Sequence, residues 1–184
     1  MLIRRYVMAG VLALSAGVAT AAPFSYDYVE GGYGEVDEGD SLFIGGSKAL
    51  DKNLYVLGSV YALDFNGDVN GAYLEGGLGY HVPLSAQADF FVNGQLLYAN
   101  FNHVGKDDDD LGGIARAGLR FMPVDKLELE GSLALSSNDF LVDDGIGVSA
   151  SARYYIDPRF SAAVGYSADT EIDGFFLNAR YNFK

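Results

Sequence analysis

The fold is decided by a stretch in which apolar and polar residues alternate strictly. It reads Leu127-Glu128-Leu129-Glu130-Gly131-Ser132-Leu133-Ala134-Leu135. The odd positions are leucine apart from one glycine, whereas the even positions carry two glutamates, a serine and an alanine. Successive side chains of a β-strand point to opposite faces, so the stretch predicts a strand with one apolar face and one polar face.

The same alternation recurs along the chain in segments of about ten residues, and short polar breaks separate the segments. The breaks are Asp37–Asp40, Asp51–Asn53, Asn66–Asn70, Pro83–Gln87, His103–Asp110, Pro123–Lys126, Asn138–Asp144, Asp157–Arg159 and Asp169–Asp173. Nine breaks separate ten strands, and no helical period lies between them. The sequence therefore predicts an all-β fold, an up-and-down antiparallel barrel of ten strands. Eight strands are the alternative if the glycine-rich start does not pair fully.

The charges on the polar face indicate which face points inward. Four acids and four arginines lie there: Glu30, Glu75, Glu128, Glu130, Arg116, Arg120, Arg153 and Arg180. Such a balanced set is expected to pair across a narrow lumen as a salt-bridge network. Aromatic residues near the strand ends, among them Tyr55, Tyr154 and Phe175, are assigned to the apolar face and resemble the girdles of a membrane barrel. The sequence thus predicts a transmembrane β-barrel with a polar interior.

Residues 1–21 are predicted to be a cleaved signal peptide. Arg4 and Arg5 precede a short apolar run, and Ala19-Thr20-Ala21 gives the pattern that signal peptidase recognises. Residues 22–184 then form one barrel domain. An even number of strands places both of its ends in the periplasm. We therefore expect export to the outer membrane of a Gram-negative bacterium.

The composition restricts the partners of the exported domain. Without Arg4 and Arg5, 10 of the 12 Lys+Arg remain against 25 Asp+Glu, a net charge of −15. Such an excess of negative charge excludes nucleic acid and favours cations as the counter-charge. The chain contains no cysteine, so disulfides do not support the fold.

Both ends of the exported domain resemble those of known proteins. The start is Ser25-Tyr26-Asp27-Tyr28-Val29-Glu30-Gly31-Gly32-Tyr33, and the end is Ala179-Arg180-Tyr181-Asn182-Phe183-Lys184. The whole domain resembles small outer-membrane barrels of the OmpA-like or opacity type, and its start is similar to single-domain outer-membrane proteins of xanthomonads. The end resembles the signal read by the barrel-assembly machinery, which implies a role for Tyr181 and Phe183. The resemblance implies that this machinery and periplasmic chaperones are partners during assembly, and a monomer is favoured.

Two groups of residues are candidates for chemistry. Neither His81 nor His103 stands two residues from a serine, the spacing of lipid-modifying barrel enzymes, so we expect no enzymatic activity. The acidic run Asp107-Asp108-Asp109-Asp110 is either a solvated loop tip or a site for Ca²⁺ or Mg²⁺. A cation site would recruit Asp143 and Asp144 from the next loop and would bridge the acidic loops to lipopolysaccharide phosphates.

The sequence therefore predicts a structural, surface-facing barrel of the outer membrane. Ten strands leave an interior only slightly wider than that of an eight-stranded barrel, which side chains fill. We accordingly expect a plugged lumen and acidic extracellular loops that contact outer-membrane lipid and lipopolysaccharide. The first alternative is a narrow, cation-preferring, porin-like channel. The second is an adhesive or partner-binding surface.

Overall fold

Ten antiparallel strands close into one barrel in the computed structural model, which describes residues 24–36, 39–65, 69–103, 106–138, 142–168 and 173–183. The strands are β1 (Tyr28–Val36), β2 (Gly39–Ala49), β3 (Leu54–Phe65), β4 (Val69–Pro83), β5 (Ala88–His103), β6 (Lys106–Val124), β7 (Leu127–Asn138), β8 (Val142–Tyr155), β9 (Phe160–Ala168) and β10 (Asp173–Asn182). Each strand pairs with its neighbours in sequence, and β1 pairs with β10 to close the barrel. The prediction of a ten-stranded up-and-down barrel is confirmed. In the described ranges no helix is long and apolar enough to cross a membrane.

Tight turns join the strands at one end of the barrel. Residues 50–53, 84–87, 125–126 and 156–159 form these turns, and short turns are typical of the periplasmic side. We therefore call this the periplasmic end. Two turns use an aspartate in the same way: backbone N–H groups of Asn53 and Leu54 donate to Asp51 at 2.8 and 2.9 Å, and two others donate to Asp157. These bonds hold the pKa of both carboxyl groups below the usual range.

At the opposite end, the strands extend further than the polar breaks indicated. Strand β5 continues to His103 and β6 begins at Lys106, so Asp107–Asp110 lie in a strand. Strand β8 begins at Val142 and likewise includes Asp143 and Asp144. The prediction that these acids lie in loops is wrong. The hydrogen bonds of a β-ladder belong to the backbone, so pairing continues through residues whose side chains are polar.

The outer face of the barrel is apolar and the inner face is polar. On β7, Leu133 and Leu135 are each 58% exposed, whereas Glu128 is 1% exposed. A soluble protein buries its leucines and exposes its glutamates, so this arrangement is inverted. The exposed outer face matches the apolar band of a barrel surrounded by hydrocarbon.

Aromatic rings cover glycines on the inner face of the wall. Four glycines stand directly opposite an aromatic residue of the next strand: Gly32 with Phe43, Gly79 with Tyr55, Gly118 with Phe91, and Gly165 with Phe176. A Cβ atom on Gly79 would lie 2.0 Å from the Tyr55 ring, so only glycine leaves room for that ring. Such pairs stabilise strongly curved sheets.

This arrangement corrects one girdle assignment. Tyr154 and Phe175 lie on the outer face as expected, 56% and 62% exposed, but Tyr55 is only 3% exposed and points into the lumen. The physical reason is its register opposite Gly79, which gives the ring a flat surface inside the barrel.

Candidate functional site in the lumen

A first ion-paired cluster joins strands β6, β7 and β8 near the periplasmic end. Arg120 donates from Nε and Nη2 to the two carboxylate oxygens of Glu128, at 2.8 and 3.1 Å. The hydroxyl of Tyr155 donates to the same carboxylate at 2.6 Å. Glu130 approaches Arg120 to 3.9 Å. Because Arg120 and Glu128 are almost fully buried, this two-bond contact fixes both side chains.

A second cluster centres on Glu30 and extends from β1 across β10 to β8. Arg180 and Arg153 donate to one carboxylate oxygen of Glu30, at 2.9 and 3.1 Å. Arg153 also donates to the amide oxygen of Asn178 at 3.0 Å. The guanidinium of Arg180 lies 3.8 Å from the ring centre of Tyr28, a cation–π contact. The single carboxylate of Glu30 thus neutralises the two arginines only in part, and the Tyr28 ring stabilises Arg180 further.

The remaining two residues of the predicted network are not ion-paired. Glu75 is buried and accepts hydrogen bonds from Ser59 at 2.7 Å and Tyr61 at 3.3 Å. Arg116 forms no ion pair with a carboxylate in the part of the chain that the structure describes. All eight predicted residues therefore lie on the inner face, and six of them form the two clusters.

Two cavities remain between these side chains. The lower cavity, of about 150 Å³, reaches down to Tyr26 and Tyr55 near the periplasmic end. The upper cavity, of about 280 Å³, is lined by serines of β7, β8 and β9. The two share the lining residues Glu30, Phe43, Tyr61, Glu75, Arg116, Glu130 and Arg180. They therefore meet at one layer of charges and aromatic rings, which we call the middle layer.

An N-terminal segment inside the barrel was not predicted. Residues 24–27 precede β1, and Phe24, Tyr26 and Asp27 are 7%, 8% and 5% exposed. The Tyr26 hydroxyl donates to Asp89 at 3.2 Å, and the same carboxylate oxygen lies 3.0 Å from Nδ1 of His81. The only sequence signal for this segment is its pair of aromatic residues ahead of the first alternating stretch. The ring of His81, one of the two histidines considered for enzymatic chemistry, stacks on the Tyr26 ring. The expectation of no enzymatic activity stays a prediction.

The predicted cation site is only partly described. Asp109 is exposed, and Asp110 accepts a hydrogen bond from the N–H of Leu111 at 2.8 Å. The side chains of Asp107, Asp108, Asp143 and Asp144 lie outside the described part of the structure. The described residues contain no cluster of three or more metal-ligating side chains. Since neighbouring residues of a strand face opposite ways, Asp107–Asp110 cannot all approach one ion.

The predicted assembly residues lie at the periplasmic end. Tyr181 is the next-to-last residue of β10, and its ring centre lies 4.9 Å from that of Phe160 and 5.5 Å from that of Phe183. Phe183 is 55% exposed. The predicted signal peptide, residues 1–21, lies outside the described residues.

Comparison with known proteins identifies the fold. No family model and no curated protein matches the chain. Among solved structures, the KdgM porin matches with a TM-score of 0.54 at 11% identity, over 85% of this chain and 99% of that chain. The KdgM porin in complex with disordered oligogalacturonate gives 0.51 at 11% identity with the same coverage. The NanC porin gives 0.47 at 10% identity, over 85% and 98% of the two chains. At such identities the likeness shows the fold alone, which is that of a small outer-membrane β-barrel.

Proposed function

We propose that the protein is a barrel of the Gram-negative outer membrane that is closed to ion flow at rest and has a structural, surface-facing role. The observation that carries this proposal is how the lumen is filled. Two ion-paired clusters line the wall from β6 round to β1. Stacked rings of Phe43, Tyr61 and Tyr73 line it from β2 to β4. Between them lie the two cavities of about 150 and 280 Å³.

The wall supports a location in the membrane. Leucines are exposed on its outer face and ionised groups are buried on its inner face, which is the order that a lipid surrounding favours. Assignment to the OmpA-like or opacity type, likeness to xanthomonad proteins and assembly through Tyr181 and Phe183 remain part of this proposal.

The acidic rim forms the second part of the proposal. Asp107–Asp110 and Asp143–Asp144 lie at the end opposite the tight turns, where lipopolysaccharide phosphates would stand across from them. Ca²⁺ or Mg²⁺ between the two sets of anions would remove their repulsion. Calcium titration of the folded protein at low salt tests this: we expect the melting temperature to rise, and no change would show that the rim is only solvated.

One observation favours the alternative of a narrow channel. The two cavities meet at the middle layer, and Arg116 in that layer makes no ion pair with a carboxylate of the described residues. A side chain without such a contact moves more easily than one in a two-bond ion pair. A channel would therefore require that ions pass the middle layer without any other rearrangement of the barrel.

Planar-bilayer recording tests the proposal of a closed lumen. We expect the wild-type protein to insert without a steady conductance, because ion-paired and aromatic side chains occupy the bore. Glu30→Gln changes the second ion-paired cluster. Arg116→Gln changes the arginine of the middle layer. A steady wild-type conductance that changes with either substitution would establish the channel and reject the closed resting state.

A further inference from the structure

We propose that residues Phe24–Asp27 form a stopper at the periplasmic end, and that its first three residues swing about Asp27 and control the access of water and small ions to the lower cavity. This inference rests on the closed resting state proposed above and names the element that closes the periplasmic side. Tyr26 lines the lower cavity, and the cluster that it forms with Phe24 packs against Ala49 and Met122 near the periplasmic ends of β2 and β6. Displacing it would therefore connect the cavity with the periplasm.

Aromatic contacts hold the stopper in the mouth of the barrel. Phe24 and Tyr26 form a buried apolar cluster with Tyr55, and Leu57 packs against it. The Tyr26 ring stacks on His81, with ring centres 4.0 Å apart. Arg120 lies 4.9 Å from the ring centre of Phe24 and 5.0 Å from that of Tyr26. The two rings thus fill the cross-section between β3, β4 and β6.

Polar contacts orient the stopper without making it part of the sheet. Nη1 of Arg120 donates a hydrogen bond to the backbone oxygen of Ser25 at 3.2 Å. The Tyr26 hydroxyl bonds to Asp89. Both contacts come from side chains of the wall, and the first strand starts only at Tyr28. The stopper can therefore leave while every ladder hydrogen bond of the barrel persists.

Asp27 is placed to act as the hinge. Its carboxylate lies 2.8 Å from Nζ of Lys48 and accepts the N–H of Ala49 at 3.1 Å. Its backbone oxygen accepts the N–H of Phe183 at 3.0 Å. Asp27 is thus tied to both neighbouring strands of the wall, whereas the described contacts of residues 24–26 with the wall are made to its side chains. Motion of the stopper would pivot at this residue.

One buried group favours opening. Asp89 is fully buried, and among the described residues its Oδ1 atom has no hydrogen-bond partner. A buried carboxylate oxygen without a partner costs free energy that hydration would recover. When the stopper swings out, water reaches Asp89, Arg120 and His81 together. Apolar contacts therefore stabilise the closed state, whereas the hydration of Asp89 favours the open state.

The test combines thiol labelling with conductance. The natural chain has no cysteine, so Leu57→Cys places a single thiol in the lower cavity, on the lumen side of the stopper. The rate of labelling of this thiol is compared between the protein that carries it alone and the same protein with Phe24→Ala and Tyr26→Ala added. The probe is a charged methanethiosulfonate reagent, applied to folded protein in detergent. We expect labelling to accelerate roughly tenfold or more, because truncating buried rings weakens closure. In bilayers the same double variant is expected to stay silent, because the middle layer still fills the bore.

A matched control removes the same ring types from outside the barrel. Phe121→Ala with Tyr154→Ala takes one phenylalanine and one tyrosine from the outer face near the same end. This control is expected to leave labelling slow and bilayers silent. If the double stopper variant does not fold, Phe24→Ala alone retains the Tyr26 stack on His81 and is expected to give a smaller acceleration in the same direction.

The outcomes separate this inference from the proposed function. A silent wild type with unchanged labelling of the stopper variant overturns the stopper and leaves the closed barrel standing. Faster labelling with silent bilayers supports the stopper and the closed lumen together, whereas a steady conductance of the stopper variant alone overturns the proposal that the middle layer closes the bore. A wild type that shows the same steady conductance as the stopper variant contradicts the closed resting state and the stopper together.

Discussion

Glu128→Ala is expected to lower the free energy of unfolding by about 3 to 5 kcal/mol, the cost of breaking a buried ion pair from one side. Arg120 would keep its charge at 3% exposure but lose both carboxylate bonds, and Tyr155 would lose its acceptor. Urea titration of the protein folded in lipid vesicles, followed by tyrosine fluorescence, measures the loss. The variant should also lose its heat-resistant band in gel electrophoresis at a lower temperature.

Glu130→Ala is the matched control on the same strand. Its side chain is 32% exposed and lies 3.9 Å from Arg120, so water screens the attraction. We expect a loss below about 1 kcal/mol. Equal losses for the two alanine variants would show that the lumen is hydrated throughout and that the two-bond pair has no special weight.

Gly77→Ala is expected to prevent assembly of the barrel or to destabilise it by at least about 3 kcal/mol, the upper range for an overpacked site. A Cβ atom at this position would lie 1.9 Å from the carbonyl oxygen of Gly94 and 2.7 Å from the Cα of Gln95. Both atoms belong to the backbone of β5, so no side-chain rotation relieves the clash. Strands β4 and β5 would have to separate. The folded yield in detergent, measured by the gel shift on heating, reports the effect.

Gly76→Ala tests whether position or composition matters. This glycine is the preceding residue on the same strand but faces outward, where a Cβ would meet only the oxygen of Leu57 at 3.8 Å. We expect a change within about 0.5 kcal/mol, as for a surface substitution that touches little. If the two variants fold with equal yield, β4 and β5 do not approach as closely as the register requires.

The strands and the charged interior could be predicted because both follow from a period of two. Leu127–Leu135 assigns each side chain to a face without any knowledge of its neighbours. Once the polar face is inside, charges of both signs come within reach, as for Glu30 with Arg180, which stand directly opposite each other on β1 and β10. The pattern does not say which charges touch. Glu75 bonds to hydroxyl groups instead.

The features that were not predicted depend on contacts between distant residues. Tyr55 points inward because Gly79 stands opposite it, a register that no local pattern encodes. The predicted strands ended too early because polar side chains do not interrupt the backbone hydrogen bonds between strands. The position of residues 24–27 inside the barrel could not be predicted, because side chains such as Arg120, 95 residues further along the chain from Ser25, hold them there.

The leucine face of the barrel meets lipid while the charged face lines the lumen. Single cysteines along β7, labelled with an environment-sensitive fluorophore in vesicles that contain a lipid-bound nitroxide quencher, test it most directly. Leu129→Cys and Leu133→Cys are expected to be strongly quenched, whereas Ser132→Cys and Ala134→Cys are expected to be protected. Quenching at the second pair but not at the first, or equal quenching along the strand, would contradict the account.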